Sequence, residues 1–272
     1  MHALICSPVC SLFLHPQPGS ERADEVLSGD TVELLEQPCP GWYRVRTSYR
    51  YEGYLLDGPA LCSDPAAVRD WNARPLAVVG QAFCDVLSAP QVEATLVETL
   101  PRGALVLPLG EDLEGWRPVG LCGGRQGYVK SGHLIPRYTA PISSCETAFR
   151  AAVAAAARSY LGAQYRWGGR TPLGIDCSGL AFMAYRLNGV TIYRDARMEP
   201  GFPVHPIPLS RMDTGDLIFF PGHVAVYLGR GRYIHSTARA GSDGVVINSL
   251  DPEHSDYRED LARSITAVGS IF

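Results

Sequence analysis

Three residues in the second half of the chain have the types that acyl-transfer chemistry needs: Cys177, His223 and His235. Cysteine is a strong nucleophile as its thiolate, histidine exchanges a proton near neutral pH, and a further polar group must orient the ring that does so. Cys177 stands in Asp176-Cys177-Ser178-Gly179-Leu180, after a glycine-rich loop. The apolar positions Leu180, Met183, Ala184 and Leu187 that follow predict a helix stopping at Asn188-Gly189. The thiol is therefore expected in a first helical turn, where open backbone N–H groups and the helix dipole favour an anion. A cysteine alone at a helix start is more often a small buried apolar residue, so the reading depends on the histidines. They occupy the strand-like runs His223-Val224-Ala225-Val226-Tyr227-Leu228-Gly229 and Arg232-Tyr233-Ile234-His235-Ser236, with a turn at Gly229-Arg230-Gly231 between them. A hairpin of these runs sets the two rings side by side.

The elements that position this trio begin at Cys145. Residues 146–162 form an alanine-rich helix with a glycine stop. Together with the Cys177 helix and strand-like runs at 216–220, 223–229, 232–236 and 244–248, it predicts an α+β domain over 145–272. A proline-containing loop over 193–208 follows the Cys177 helix, and a linker over 137–144 precedes the domain.

The first half repeats itself at a constant offset of 74: Cys10 with Cys84, Gly29 with Gly103, Val32 with Val106, Trp42 with Trp116, Val45 with Val119, and Gly53-Tyr54 with Gly127-Tyr128. Several identities at one offset indicate two copies of one module. Short alternating strands such as Thr31-Val32-Glu33-Leu34-Leu35, punctuated by Gly-Trp and Gly-Tyr, predict small β-barrels over 1–64 and 72–137, with Trp42 and Trp116 as core residues. Asp57-Gly58-Pro59 closes the first copy, and residues 63–75 carry a short helical turn.

Composition limits the function. The 272 residues carry a formal net charge of -4 and no basic run, which argues against nucleic acid or an anionic membrane as partner. No stretch of about 18 apolar residues predicts a membrane span. Residues 1–15 lack a charged leader and read as a first strand. The eight cysteines form no CxxC pair, so neither zinc nor another metal is expected, and they are read as mostly buried free thiols in a reducing cytoplasm.

The motifs Tyr165-x-Trp-Gly-Gly, Asp176-Cys177-Ser178-Gly179, Gly215-Asp216-Leu217-Ile218-Phe219-Phe220, His223 through Gly229 and Tyr233-Ile234-His235 resemble, in order, the NlpC-type cysteine peptidases, bacterial enzymes that cut cell-wall peptides. The resemblance implies a papain-like core with Cys177 as nucleophile, His223 as general base and then acid, His235 as the group that fixes His223, and Tyr165 as a hydroxyl in the oxyanion region. The two N-terminal copies resemble bacterial SH3-like modules. The implied fold class is multidomain, two small SH3-like β-barrels followed by an α+β papain-like cysteine peptidase domain. This combination resembles the branch of γ-D-glutamyl-L-diamino acid endopeptidases that act on murein peptides with a free N-terminal L-alanine. In that branch the first module closes one end of the groove. It implies Asp176, Ser178, Tyr51 and Trp167 as substrate-binding, with Asp176 pairing the free ammonium or else only capping its helix. Glu25 or Asp30 is implied as a second acidic group. Arg194-Asp195-Ala196 matches an Arg-Asp turn of the family, although Tyr193 stands where proline is common. A cytoplasmic, monomeric enzyme of wall-peptide recycling without cofactor is expected, with meso-diaminopimelate and lysine both open as the diamino acid. A non-catalytic wall-peptide-binding protein and a secreted murein hydrolase are the alternatives.

Overall fold

The 74-residue repeat folds as two seven-stranded antiparallel sheets in the structure, a computed structural model that describes residues 1–58 and 61–272. The first sheet holds β1 (His2–Ile5), β2 (Val9–Phe13), β3 (Arg22–Leu27), β4 (Thr31–Cys39), β5 (Trp42–Thr47), β6 (Glu52–Leu56) and β7 (Leu61–Cys62). The second holds β8 (Ala77–Val79), β9 (Phe83–Leu87), β10 (Leu96–Pro101), β11 (Leu105–Pro108), β12 (Trp116–Gly120), β13 (Gln126–Lys130) and β14 (Leu134–Pro136). Their orders, β3-β2-β6-β5-β4-β1-β7 and β10-β9-β13-β12-β11-β8-β14, are the same pattern shifted by seven strands. Physical constraint explains the repeated residues. A Cβ on Gly53 would lie 3.0 Å from Leu12 Cβ, and one on Gly127 would lie 2.6 Å from Leu87 O, so both copies need glycine where β6 and β13 cross a neighbour. Trp42 and Trp116 are buried at equivalent strand starts.

Residues 1–15 are not one strand. The chain breaks at Cys6, Ser7 and Pro8, so β1 pairs with β4 and β7 while β2 pairs with β3 and β6. Pro8 has no N–H for a ladder, and its carbonyl instead accepts the Ser28 N–H at 3.2 Å. The expected turn over 63–75 is a helix, α1 (Pro65–Ala73), capped by Asp64 accepting from Ala66 and Ala67 N–H. Pro59 of the Asp57-Gly58-Pro59 turn lies outside the described residues.

Both sheets belong to one unit, Met1–Arg137; a second unit spans Tyr138–Phe272. Within the first unit the sheets share a seam. Leu105 N–H donates to Ser28 O at 2.8 Å, and the buried Trp71 of α1 donates to Gly29 O at 3.1 Å.

The second unit contains α2 (Glu146–Arg158), the short pair β15 (Arg170–Thr171) and β16 (Gly174–Ile175), α3 (Cys177–Arg186), β17 (His205–Ile207), β18 (Leu217–Phe220), β19 (His223–Gly229), β20 (Arg232–Arg239), β21 (Ser242–Ser249), α4 (Glu259–Ala262) and β22 (Ala267–Ser270). Six strands form an antiparallel sheet in the order β17-β22-β18-β19-β20-β21. α3 is buried from Cys177 through Tyr185, as its nearly continuous apolar composition requires. Arg150 of α2 ties that helix to the sheet through Asp216 at 2.6 Å. Among the described residues no helix is long and apolar enough to cross a membrane.

Candidate active site

Asp176 is the N-cap of α3, and its carboxylate does more than cap. It accepts the N–H groups of Gly179 at 2.6 Å and Gly168 at 2.8 Å, the Ser178 hydroxyl at 3.2 Å, and two nitrogens of Arg194 at 3.0 and 3.2 Å. Arg194, 1% exposed, also donates to Ser178 Oγ at 2.8 Å and Gly169 O at 3.2 Å. One buried ion pair thus joins the helix start, the 166–169 turn and the loop after α3. Gly179 is obligatory at this junction: a Cβ there would sit 2.3 Å from Gly169 O. Cys177 occupies the first helical turn, as its sequence position predicts.

β19 and β20 supply the histidines. Continuing the Val226↔Ile234 register sets His223 two residues beyond the position facing His235, on the same side of the sheet. His223 Nε2 and His235 Nδ1 lie 2.7 Å apart, with the rings at 77°. His235 Nε2 lies 2.9 Å from Asn248 Oδ1 on β21, and Asn248 Nδ2 donates to Asp256 O at 2.9 Å. A carbonyl only accepts, so Asp256 fixes the Asn248 amide, and Asn248 Oδ1 must receive a proton from His235 Nε2. His235 Nδ1 is then an acceptor and His223 donates from Nε2. The lone pair of His223 is left on Nδ1.

Electrostatics set the resting state. The Cys177 thiol lies against the backbone N–H groups of Val224 and Ser178, which favour the thiolate. Burial, and secondarily the Asp176 charge, outweigh them and push it up to about 11. Burial lowers His223 to about 3, helped by His235 and Arg258. It lowers His235 to about 4 against the hydrogen bond to Asn248. Burial thus favours the neutral forms of both thiol and imidazole. Burial, with the nearby Cys177 and Asp176, also pushes the Tyr165 phenol up, keeping it a hydrogen-bond donor.

Other expected residues are placed as follows. Trp167 is exposed on the turn beside the helix start. Ser178 has its hydroxyl held by Asp176 and Arg194. Tyr51, Glu25 and Asp30 belong to the first unit. Tyr51 closes the β5–β6 turn through Thr47, and Asp30 accepts the Leu27 N–H at 3.0 Å, which closes the β3–β4 turn. Glu25 is buried on β3. Asp176, implied either to pair the ammonium or only to cap its helix, has its two oxygens met by five donors, and the capping contact to Gly179 N–H is among them. Sequence reasoning missed Asn248, although its place on the third strand of the meander, diagonal to His235, was a usable signal. It also missed the pocket beside Ser178, lined by Tyr193, Asp195, Arg197, Glu199, Phe202 and Val224. Among the described residues no cluster of three or more histidine, cysteine or acidic side chains could hold a metal ion.

Residues 162–263 match the model of the NlpC/P60 family, and residues 12–58 match that of the bacterial dipeptidyl-peptidase SH3 domain. The chain is 44% identical to dipeptidyl-peptidase 6 of Lysinibacillus sphaericus over all of both chains. It is 38% identical to γ-D-glutamyl-L-lysine dipeptidyl-peptidase of Bacillus subtilis over 28% of each. A crystal structure of an NlpC/P60 family protein from Bacillus cereus has the same fold, with a TM-score of 0.81 at 20% identity over 98% of both chains.

Proposed function

Since the chain belongs to the NlpC/P60 family and is a cysteine peptidase with an SH3-like N-terminal domain, we propose that it hydrolyses the bond between γ-D-glutamate and the diamino acid in murein peptides that begin with a free L-alanine. The observation that carries the chemistry is the ordered chain of side chains His223, His235 and Asn248, which leaves a lone pair on His223 Nδ1, with the helix-start thiol against the backbone N–H of Val224, the residue after His223. The full-length similarity to dipeptidyl-peptidase 6, together with the similarity to a γ-D-glutamyl-L-lysine dipeptidyl-peptidase, supports the substrate.

In this reading His223 Nδ1 takes the thiol proton as Cys177 Sγ bonds to the glutamyl carbonyl carbon. The oxyanion is met by the Tyr165 hydroxyl and the backbone N–H of Cys177. His223 then protonates the leaving amine, and an acyl-enzyme remains. Water, deprotonated by His223, attacks the thioester and releases L-Ala-D-Glu, restoring the thiol. The ammonium is met by the acidic groups at this end of the groove, Asp176 at the helix start and Asp195, which lines the pocket beside Ser178. Trp167, exposed on the turn beside the helix start, flanks the chain of the substrate. The second seven-stranded sheet is a further SH3-like module that has diverged, with Arg125 at the offset of Tyr51. A requirement for a free amine excludes glycan-linked stems, whose alanine nitrogen is acylated, and so suits recycling of released peptides in the cytoplasm.

The test is mass spectrometry of L-Ala-γ-D-Glu-meso-diaminopimelate, its lysine counterpart and their N-acetylated twins. Cleavage of the free peptides alone, lost in Cys177→Ala, is expected. Equal cleavage of acetylated peptides would remove the selectivity, and no cleavage of any would remove the substrate. Asp195→Asn should narrow the preference for the free amine about tenfold or more, the worth of one exposed-to-buried charge pair of about 1–3 kcal/mol. An unchanged preference would take the ammonium away from Asp195.

A further inference from the structure

Outside the catalytic groove, the first unit brings two cysteines together from different sheets. Cys6 follows β1 and Cys122 follows β12. Cys122 Sγ donates to Ile5 O at 2.9 Å and lies 3.5 Å from Ser28 Oγ, which places it at the end of β1 itself. A Cβ built on Gly123 would stand 3.6 Å from Cys6 Sγ, so the Cys6 sulfur packs against the backbone directly after Cys122. The two thiols lie within hydrogen-bonding reach of each other. Both line an open cavity of about 300 Å³ with Ser7, Glu98, Gly123 and Arg125. Gly123, which lines it, has φ of +87°, a backbone that carries no side chain over the sulfurs.

We propose that Cys6 and Cys122 form a peroxide-sensitive dithiol site, which closes to a disulfide joining the two sheets of the first unit. The two sulfurs have distinct roles. The neighbouring Cys6 thiol pulls Cys122 below the ordinary thiol range, with burial opposing and the Ser28 hydroxyl and Gly29 N–H assisting. The same contact, with burial, pushes Cys6 up. Cys122 is thus the thiol that ionises first, giving up the proton it holds against Ile5 O, and Cys6 keeps its own until the second step. Cys122 sulfur attacks one peroxide oxygen, the O–O bond breaks, and hydroxide leaves, giving a sulfenic acid. Cys6 sulfur then attacks the Cys122 sulfur, its proton and the displaced hydroxyl leave as water, and the S–S bond forms. Two thiols lose two electrons and two protons, and hydrogen peroxide becomes two waters. The seam at Ser28, Gly29 and Leu105 already aligns the partners, so the bond adds a covalent link where packing exists.

The test treats the full chain with a few equivalents of hydrogen peroxide, alkylates remaining thiols, and maps peptides without reductant. A Cys6–Cys122 cross-linked peptide that disappears on reduction is expected, together with a rise in the melting temperature of the oxidised protein. In Cys6→Ser, a near-isosteric change at a partly exposed position, Cys122 should instead accumulate as sulfinic acid. The proposal is overturned if Cys122 stays fully alkylatable, or if it pairs with Cys10. It is equally overturned if Cys6 pairs with Cys62, whose strand lies beside β1, or if Cys6→Ser leaves the fate of Cys122 unchanged.

Discussion

The proton route at the active site is decided by one amide. Asp256 O holds Asn248, Asn248 fixes the tautomer of His235, and His235 fixes that of His223. Asn248→Ala should lower kcat about 10- to 100-fold with KM nearly unchanged, equivalent to the ~1–3 kcal/mol that an unmet buried hydrogen-bonding group costs. Asn248→Asp still accepts from His235, but its charge favours protonated His235, which would donate to His223 Nε2 and place the proton on Nδ1. Its acid limb should therefore move upward while activity above that limb recovers. Superimposable pH profiles for Asp and wild type would rule out tautomer control. The buried histidines also tie stability to pH. Both fall below the ordinary value of 6.5, to about 3 and about 4, so between those values and 6.5 the unfolded chain binds more protons. Stability is present above 6.5 and is lost as pH falls toward 4. Urea midpoints should drop from pH 7 to pH 5, and drop less in His235→Gln; parallel slopes in the two proteins would assign the effect to other groups.

At the scale of elements, the start of α3 is held by charge rather than by apolar packing alone. Arg194 and Asp176 are both buried, and each satisfies the other while binding the Gly168 and Gly169 turn. Removing one partner leaves a buried charge without compensation, so Arg194→Ala should cost about 3–5 kcal/mol. Arg194→Met combined with Asp176→Asn should cost less than the sum of the two single changes, with a coupling of about 0.5–3 kcal/mol. Thermal unfolding of the four proteins measures this directly, and strict additivity would mean that the pair is not the unit that fixes the helix. Turnover should fall in every variant, since the helix start carries Cys177 and its neighbouring N–H groups. The same junction shows why Asp176 was ambiguous in the sequence. A residue before a helix reads as a cap and as a carboxylate in a groove alike, and its pairing with Arg194, 18 residues away, is not written in local order.

For the whole molecule, the legible features were those written in local order. The offset of 74 exposed the duplicated sheet because Gly53 and Gly127 each meet a crossing strand, and that contact tolerates no side chain. The His223 and His235 hairpin was legible because a short turn fixes its register. β22 was not, since its four residues join the sheet beside β18 only through a return from the far end of the chain. Nor was the union of the two copies, which depends on Trp71 in a segment outside both repeats. Its ring stands 3.1 Å from where a Gly29 Cβ would be, and its indole N–H donates to Gly29 O. Two small barrels of this size each bury a limited core, so the shared seam supplies part of what neither has alone. Trp71→Ala removes both the apolar contact and the hydrogen bond and should destabilise the first unit by about 3–5 kcal/mol. Trp71→Phe keeps most of the ring and should cost about 1 kcal/mol for the lost hydrogen bond. Calorimetry on the full chain distinguishes these. If alanine cost no more than phenylalanine, the sheets would be self-sufficient and the helix between them only a connector.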